Sequence, residues 1–166
     1  MEYLLFITEK RNGDIKARKL ANSSKQCTYD GYDKVDGSSP TVTTESIFFA
    51  GVVDVREVRA VAVLDVANAF FYAHNDERSL MLLREKLSEM MLKIDPSMYR
   101  KYVTYSKNGV PMLYVCLYKA LYGMLRAALL FYKRLRSDLE DRVFVVNPYY
   151  PCVANKMVDG AQMTVC

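Results

Sequence analysis

The chain has 166 residues, 51% of them hydrophobic and 25% charged, a balance that excludes the disordered and fibrous classes and is that of a globular domain or part of a larger one. Lys and Arg total 23 against 19 Asp and Glu, so the net charge of +4 permits a polyanionic partner without demanding one. Four cysteines without a C-x-x-C pair, and a single histidine, His74, with no Cys or Glu at ligand spacing, argue against zinc and for free thiols in a reducing compartment. Glu2 stands where a signal peptide wants positive charge, and no apolar run approaches the roughly eighteen residues of a membrane span, so the expectation is an intracellular protein, cytoplasmic or nuclear, neither secreted nor inserted in a membrane.

In chain order, "YLLFITEK-RNGD-IKARKLA" predicts a β-hairpin turned at Asn12-Gly13, the pair that most readily accepts positive φ. Lys16 and Arg18 then share one face of its second strand. Residues 21–40, rich in Ser, Gly and Asp, read as a loop. The next stretch, 41–60, is ambiguous: it could be a short helix, but Val52, Val53, Val55 and Val58 lose rotamer freedom there. "VAVLDV", residues 61–66, is apolar on both faces and predicts a central strand with Asp65 near its C-terminal end.

From Leu83, the apolar residues Leu87, Met90, Met91 and Ile94 recur at helical spacing, with Glu89 and Lys93 as an i,i+4 pair, until Asp95-Pro96 ends the helix. A short helix through "SMYRKYV" follows, and Asn108-Gly109 then joins strand-like "YVTYS" to "VPMLYVCLYKA". Leu121 to Asp141 gives the clearest helix, with Leu125, Ala128, Leu129, Tyr132, Leu135 and Leu139 in one stripe and Arg126, Lys133, Arg134 and Asp141 opposite. Beyond Pro148 and Pro151, "CVANKM" and "AQMTVC" flank Asp159-Gly160 as a further hairpin. The order of elements fits an α+β domain with a largely antiparallel sheet backed by helices.

Asp65 is the residue that asks for a function. A carboxylate among valines and leucines loses hydration, which a cation, a metal or a proton must offset. It could hold Mg²⁺, act as an acid or base, or pair with Arg or Lys inside the fold, and for a lone aspartate the structural pair is the commoner case. Ordinary readings stand beside the other conspicuous residues too. Lys16 and Arg18 suit a solvated strand face, Phe70 and Phe71 a core, Arg126 a helix surface, His74 a loop and Asp159 a turn.

Four segments in order carry a resemblance. "LDVANAFF" resembles the first catalytic motif of copia-type retrotransposon reverse transcriptases, L-D-V-x-x-A-F-L-x-G, and "LYKALYGMLRAALLFYKRL" resembles that family's L-K-K-S-L-Y-G-L-K-Q-A-P-R-x-W-Y segment. "IKARKLA" is similar to its K-A-R-L-V-A finger strand and "NPYYPCVANKM" to its D-P-C-L-F strand, so the likeness spans roughly residues 3–166. It implies an RNA-directed DNA polymerase of fingers and palm, acting on an RNA template, a DNA primer or RNA/DNA hybrid, and dNTP, with two Mg²⁺ ions. Residues 1–58 would be a fingers-like hairpin and loop, and 59–166 mostly palm, with a fingers-like insertion around 76–120.

By residue, the resemblance implies that Asp65 is the first metal-binding, catalytic aspartate and that the Val66 carbonyl also touches the metal. Phe70 would be the aromatic gate beneath the incoming sugar. Lys16 and Arg18 would lie over the triphosphate, and Tyr122, Gly123 and Arg126 would line the templating side.

The sequence departs from that pattern in three ways. Arg126 stands for the usual glutamine, Ala128 for proline and Phe131 for tryptophan; "KLANSS" replaces the basic, glycine-containing continuation of the finger; and no aromatic-x-Asp-Asp pair follows "QMTVC". One aspartate cannot hold two divalent ions about 4 Å apart against their repulsion. The expectation is a chain that lacks a C-terminal polymerase segment, does not polymerise DNA alone, and exposes a strand edge that favours aggregation. The alternatives are a non-catalytic nucleic-acid-binding remnant and an unrelated α+β interaction domain with Asp65 as a buried structural acid.

Overall fold

A computed structural model describes residues 1–24 and 37–166. The segment expected as a loop lies largely outside the described residues. The hairpin forms as expected: β1 (Glu2–Glu9) and β2 (Ile15–Asn22) pair antiparallel along their whole length, from Glu2 opposite Asn22 to Glu9 opposite Ile15. Its loop closes with Gly13 at φ +84°, and Asn12 Nδ2 donates to the Asp14 carboxylate at 2.8 Å.

The ambiguous stretch resolves as a helix, α1 (Thr44–Arg56). Thr43 caps it, its hydroxyl accepting the Ser46 N–H at 3.2 Å, with Glu45 in the first turn and Arg56 in the last. Those end interactions offset the few tenths of a kcal/mol that each valine loses in a helix. Only Ser46 of this helix is buried, while Phe48 and Phe49 face outward.

The expected central strand over residues 61–66 does not form. Residues 59–66 adopt neither helix nor strand, and Val61, Val63 and Leu64 are 71%, 95% and 88% exposed. Valine favours strands because it packs well on a pleated surface with neighbours on both sides. The place beside β1 is held by another strand, β3 (His74–Arg84), which was not anticipated because its first half is polar. Its second half is the apolar part: Ser79, Met81, Leu82 and Leu83 are buried and Leu80 is exposed. β3 is parallel to β1, joined where the Leu82 N–H donates to the Met1 carbonyl at 2.8 Å.

The helix expected from Leu83 starts later, as α2 (Lys86–Ile94), and α3 (Pro96–Tyr99) follows with a single 3₁₀ turn over Arg100–Tyr102. Asp95 caps α3, accepting from the Met98 N–H at 2.9 Å and the Ser97 hydroxyl at 2.6 Å, which holds its carboxyl below the ordinary aspartate range. β4 (Val103–Tyr105) and β5 (Pro111–Lys119) complete a five-stranded mixed sheet in the order β2-β1-β3-β5-β4. The helix read from Leu121 is α4 (Ala127–Glu140), six residues shorter at its start because Gly123 sits at φ +86°. A second, antiparallel sheet contains β6 (Val145–Val146), β7 (Ala154–Val158) and β8 (Ala161–Val165), with Asp159 and Gly160 both at positive φ in the β7–β8 turn. The chain is thus a mixed α+β protein.

The core lies between the first sheet and the start of α4. Leu113 of β5 is 1% exposed, and Met81, Leu83, Leu121, Met124 and Leu130 surround it. One contact sets how the two halves meet. The Ala21 N–H donates to the Tyr122 carbonyl at 2.7 Å, the Ser23 hydroxyl donates to the Gly123 carbonyl, and the Gly123 α-carbon is pressed against Ala21. A β-carbon at Gly123 would overlap the Ala21 carbonyl oxygen. Gly123→Ala is therefore expected to cost about 2–4 kcal/mol, left-handed strain plus overpacking. Gly160→Ala, with φ +81° but open space around it, should cost only the strain, about 1 kcal/mol. Urea denaturation of the two variants separates them, and equal losses would remove the special status of the Gly123 contact.

Candidate nucleotide-binding cleft

β2 alternates its side chains, so Lys16, Arg18 and Leu20 emerge on one face. That face forms one wall of a cleft of about 740 Å³, and Asn68, Phe71 and Tyr122 form the other. Among the described residues neither Lys16 nor Arg18 makes an ion pair, although six of the other basic residues do. Two uncompensated cations facing aromatic rings make a surface suited to phosphate on one side and a planar ring on the other.

The opposite wall is built by a 3₁₀ turn, Ala69–Tyr72, entered through Asn68 in the left-handed conformation at φ 55°. Such a turn sends successive side chains about 120° apart. Phe70 points inward, its ring 4.4 Å from that of Tyr122 and 6.2 Å from that of Phe131, both edge to face. Phe71 points outward into the cleft, 41% exposed. Tyr122 is shared, packed on Phe70 beneath and 40% exposed towards the cleft.

The structure sorts the expected site residues into groups. Lys16, Arg18 and Tyr122 come together in the cleft. Gly123 contributes backbone, as the close contact to Ala21 that fixes Tyr122. Phe70 does not line the cleft; it packs below it, and its neighbour Phe71 takes the exposed position. Asp65 and Val66 lie in the exposed segment leading to Asn68, so Asp65 is not a buried structural acid. Asn68 and Phe71 were missed because nothing in a four-residue aromatic run shows which ring a 3₁₀ turn will bury.

Arg126 is engaged elsewhere. Its side chain is 15% exposed, and its guanidinium donates to both carboxylate oxygens of Asp76, each at 3.1 Å, and to Glu77. These bonds tie the start of α4 to the start of β3, a job that the shorter, neutral glutamine expected at this position could not do.

Among the described residues no cluster of three or more His, Cys, Asp or Glu side chains is placed to hold a metal ion. The donors present do not make a two-ion Mg²⁺ centre, and no chemical step is derived through one. Cys152 and Cys166 line a separate, apolar cavity of about 370 Å³ beneath α4, where burial pushes both thiols up and the nearby Asp54 carboxylate adds to the shift at Cys166. Raised thiols are poor nucleophiles, so neither cysteine is a candidate for covalent chemistry. No helix among the described residues is long and apolar enough to cross a membrane.

Comparison of the chain with protein-family models, curated proteins and solved structures finds no match in any of the three.

The Arg126 assignment is open to a double-mutant cycle. Arg126→Ala and Asp76→Ala are expected to couple by about 1 kcal/mol in chemical denaturation, the modest value reflecting carboxylates that are half exposed. Additive losses would return Arg126 to the pool of free surface cations.

Proposed function

We propose that the chain is part of a copia-type RNA-directed DNA polymerase, contributing fingers and palm elements that bind nucleic acid and nucleotide. The cleft between β2 and the 3₁₀ turn receives the phosphates of a template/primer, of an RNA/DNA hybrid or of dNTP. Lys16 and Arg18 contact phosphate, while Tyr122 and Phe71 offer rings for a base or sugar. One observation carries this reading. Two segments about a hundred residues apart, each resembling the same family's motifs, bring an aromatic ring and two cations that make no ion pair among the described residues into a single cleft.

Within that reading Asp65 and the Val66 carbonyl would lie on one side of a Mg²⁺ site whose remaining carboxylates belong to other parts of the polymerase. Alone, the chain binds and does not polymerise. A binding module without chemistry is the second reading, favoured by the want of any cluster of three or more potential metal ligands among the described residues. The encoding DNA downstream of codon 166 separates the two: an aromatic-x-Asp-Asp pair there supports the polymerase reading, and its absence the binding module.

Binding to an RNA/DNA hybrid tests both. Each phosphate contact releases counterions, so affinity should fall steeply with salt, and removing Lys16 and Arg18 together should lower the slope of log K against log salt by about 2. Fluorescence anisotropy of a labelled hybrid across a salt series measures the slope. Absence of binding at low salt, or a slope unchanged in Lys16→Ala/Arg18→Ala, would refute the assignment of this cleft.

A further inference from the structure

Alternation along the strands of the first sheet gives it two faces, and the core covers only one of them. Met81, Leu83 and Leu113 belong to the core cluster, Val115 packs on it, and α2 and α4 meet it through Leu87 and Leu130. The residues in between point the other way. On that outer face Leu80 is 41% exposed, Tyr114 53% and Tyr118 77%, and the Cys116 thiol lies open between the two tyrosines.

Strand register arranges this face. Leu80 stands opposite Cys116, and Leu82 lies between Tyr114 and Glu2. Tyr114 and Tyr118, four residues apart, present their side chains roughly 14 Å from each other along β5. The face continues onto the hairpin, where Phe6, half exposed, stands opposite Arg18. Ser79 is buried, so its neighbour Arg78 points outward with Leu80, and among the described residues Arg78 makes no ion pair. The nearby carboxylates are already held, Glu2 by Arg84 at 3.1 Å and Asp76 and Glu77 by Arg126. Open rings therefore stand beside uncompensated positive charge.

We propose that this face binds single-stranded nucleic acid without sequence preference, its bases stacked on Tyr118, Tyr114 and Phe6 and its phosphates drawn to Arg78 and, at the border with the cleft, Arg18. A sheet that presents rings and cations on one face is a stacking platform, because every base has a π face and every nucleotide a negative charge. A duplex keeps its bases stacked on one another, so only a single strand offers them to the rings. An acidic peptide would answer the cations and leave the rings without planar partners. Tyr114, Tyr118 and Arg78 take no part in the cleft, so the inference stands apart from the polymerase reading.

Affinity and thiol protection test it on the whole chain. A fluorescein-labelled thymidine oligomer of about 12 nucleotides, within the range of known single-strand sites, should bind at low salt in fluorescence anisotropy. Once bound, it should slow the alkylation of Cys116 by iodoacetamide, followed by mass spectrometry of the Cys116 peptide; this readout needs no substitution and holds even where a variant fails to fold. Tyr114→Ala and Tyr118→Ala should each weaken binding about five-fold or more, while Tyr114→Phe and Tyr118→Phe, which keep the ring, should stay within about two-fold of the unaltered protein. Absence of oligomer binding, alanine variants that bind as tightly as the unaltered chain, or Cys116 alkylated at an unchanged rate would each overturn the proposal, the last by sending the strand to the cleft. Equal protection of Cys116 by heparin would also overturn it, since heparin carries charge without bases.

Discussion

Gly123 has no side chain, and the end of β2 occupies the space where one would be. Its carbonyl and that of Tyr122 are both taken by β2, through the Ser23 hydroxyl and the Ala21 amide. Everything else about the cleft depends on this contact. It joins a hairpin from the beginning of the chain to a turn a hundred residues later, and both walls take their spacing from it. The contact combines a satisfied backbone with close packing, so a small change in one wall is felt at the other.

Charge separates the binding side from the structural side. Arg126 is neutralised by Asp76 and Glu77 and ties α4 to β3, while Arg59 is neutralised by Asp54 and Glu57 at the end of α1. Lys16 and Arg18 have no such partners among the described residues and lie across the cleft from aromatic rings. The 3₁₀ turn at residues 69–72 makes a parallel division among aromatics, with Phe70 committed to packing against Phe131 and Phe71 left available. A ligand entering the cleft would therefore meet groups with little else to bind.

Much of the architecture was legible from local signals. Asn-Gly and Asp-Gly pairs marked three turns, each with its glycine at positive φ, and the apolar stripe of α4 marked the longest helix. What was not legible came from competition between segments. "VAVLDV" has every local attribute of a central strand, yet β3, half of it polar, holds the position beside β1. No local pattern ranks two candidate strands for one slot, because the deciding term is packing against residues far away in the chain. The same limit applied to the candidate site. Periodicity placed Lys16 and Arg18 on one face, but the choice of Phe71 over Phe70, and the capture of Arg126 by two acidic residues, are tertiary facts.

The account stands on the union of β2 with the Tyr122–Gly123 turn, and the Ala21 amide reports it directly. Native-state hydrogen exchange should find that amide opening only with global unfolding, its exchange free energy converging with that of the core strands as denaturant is added. Exchange of the Ala21 amide by local fraying, as fast as the amides of the loop at residues 10–14, would contradict the account.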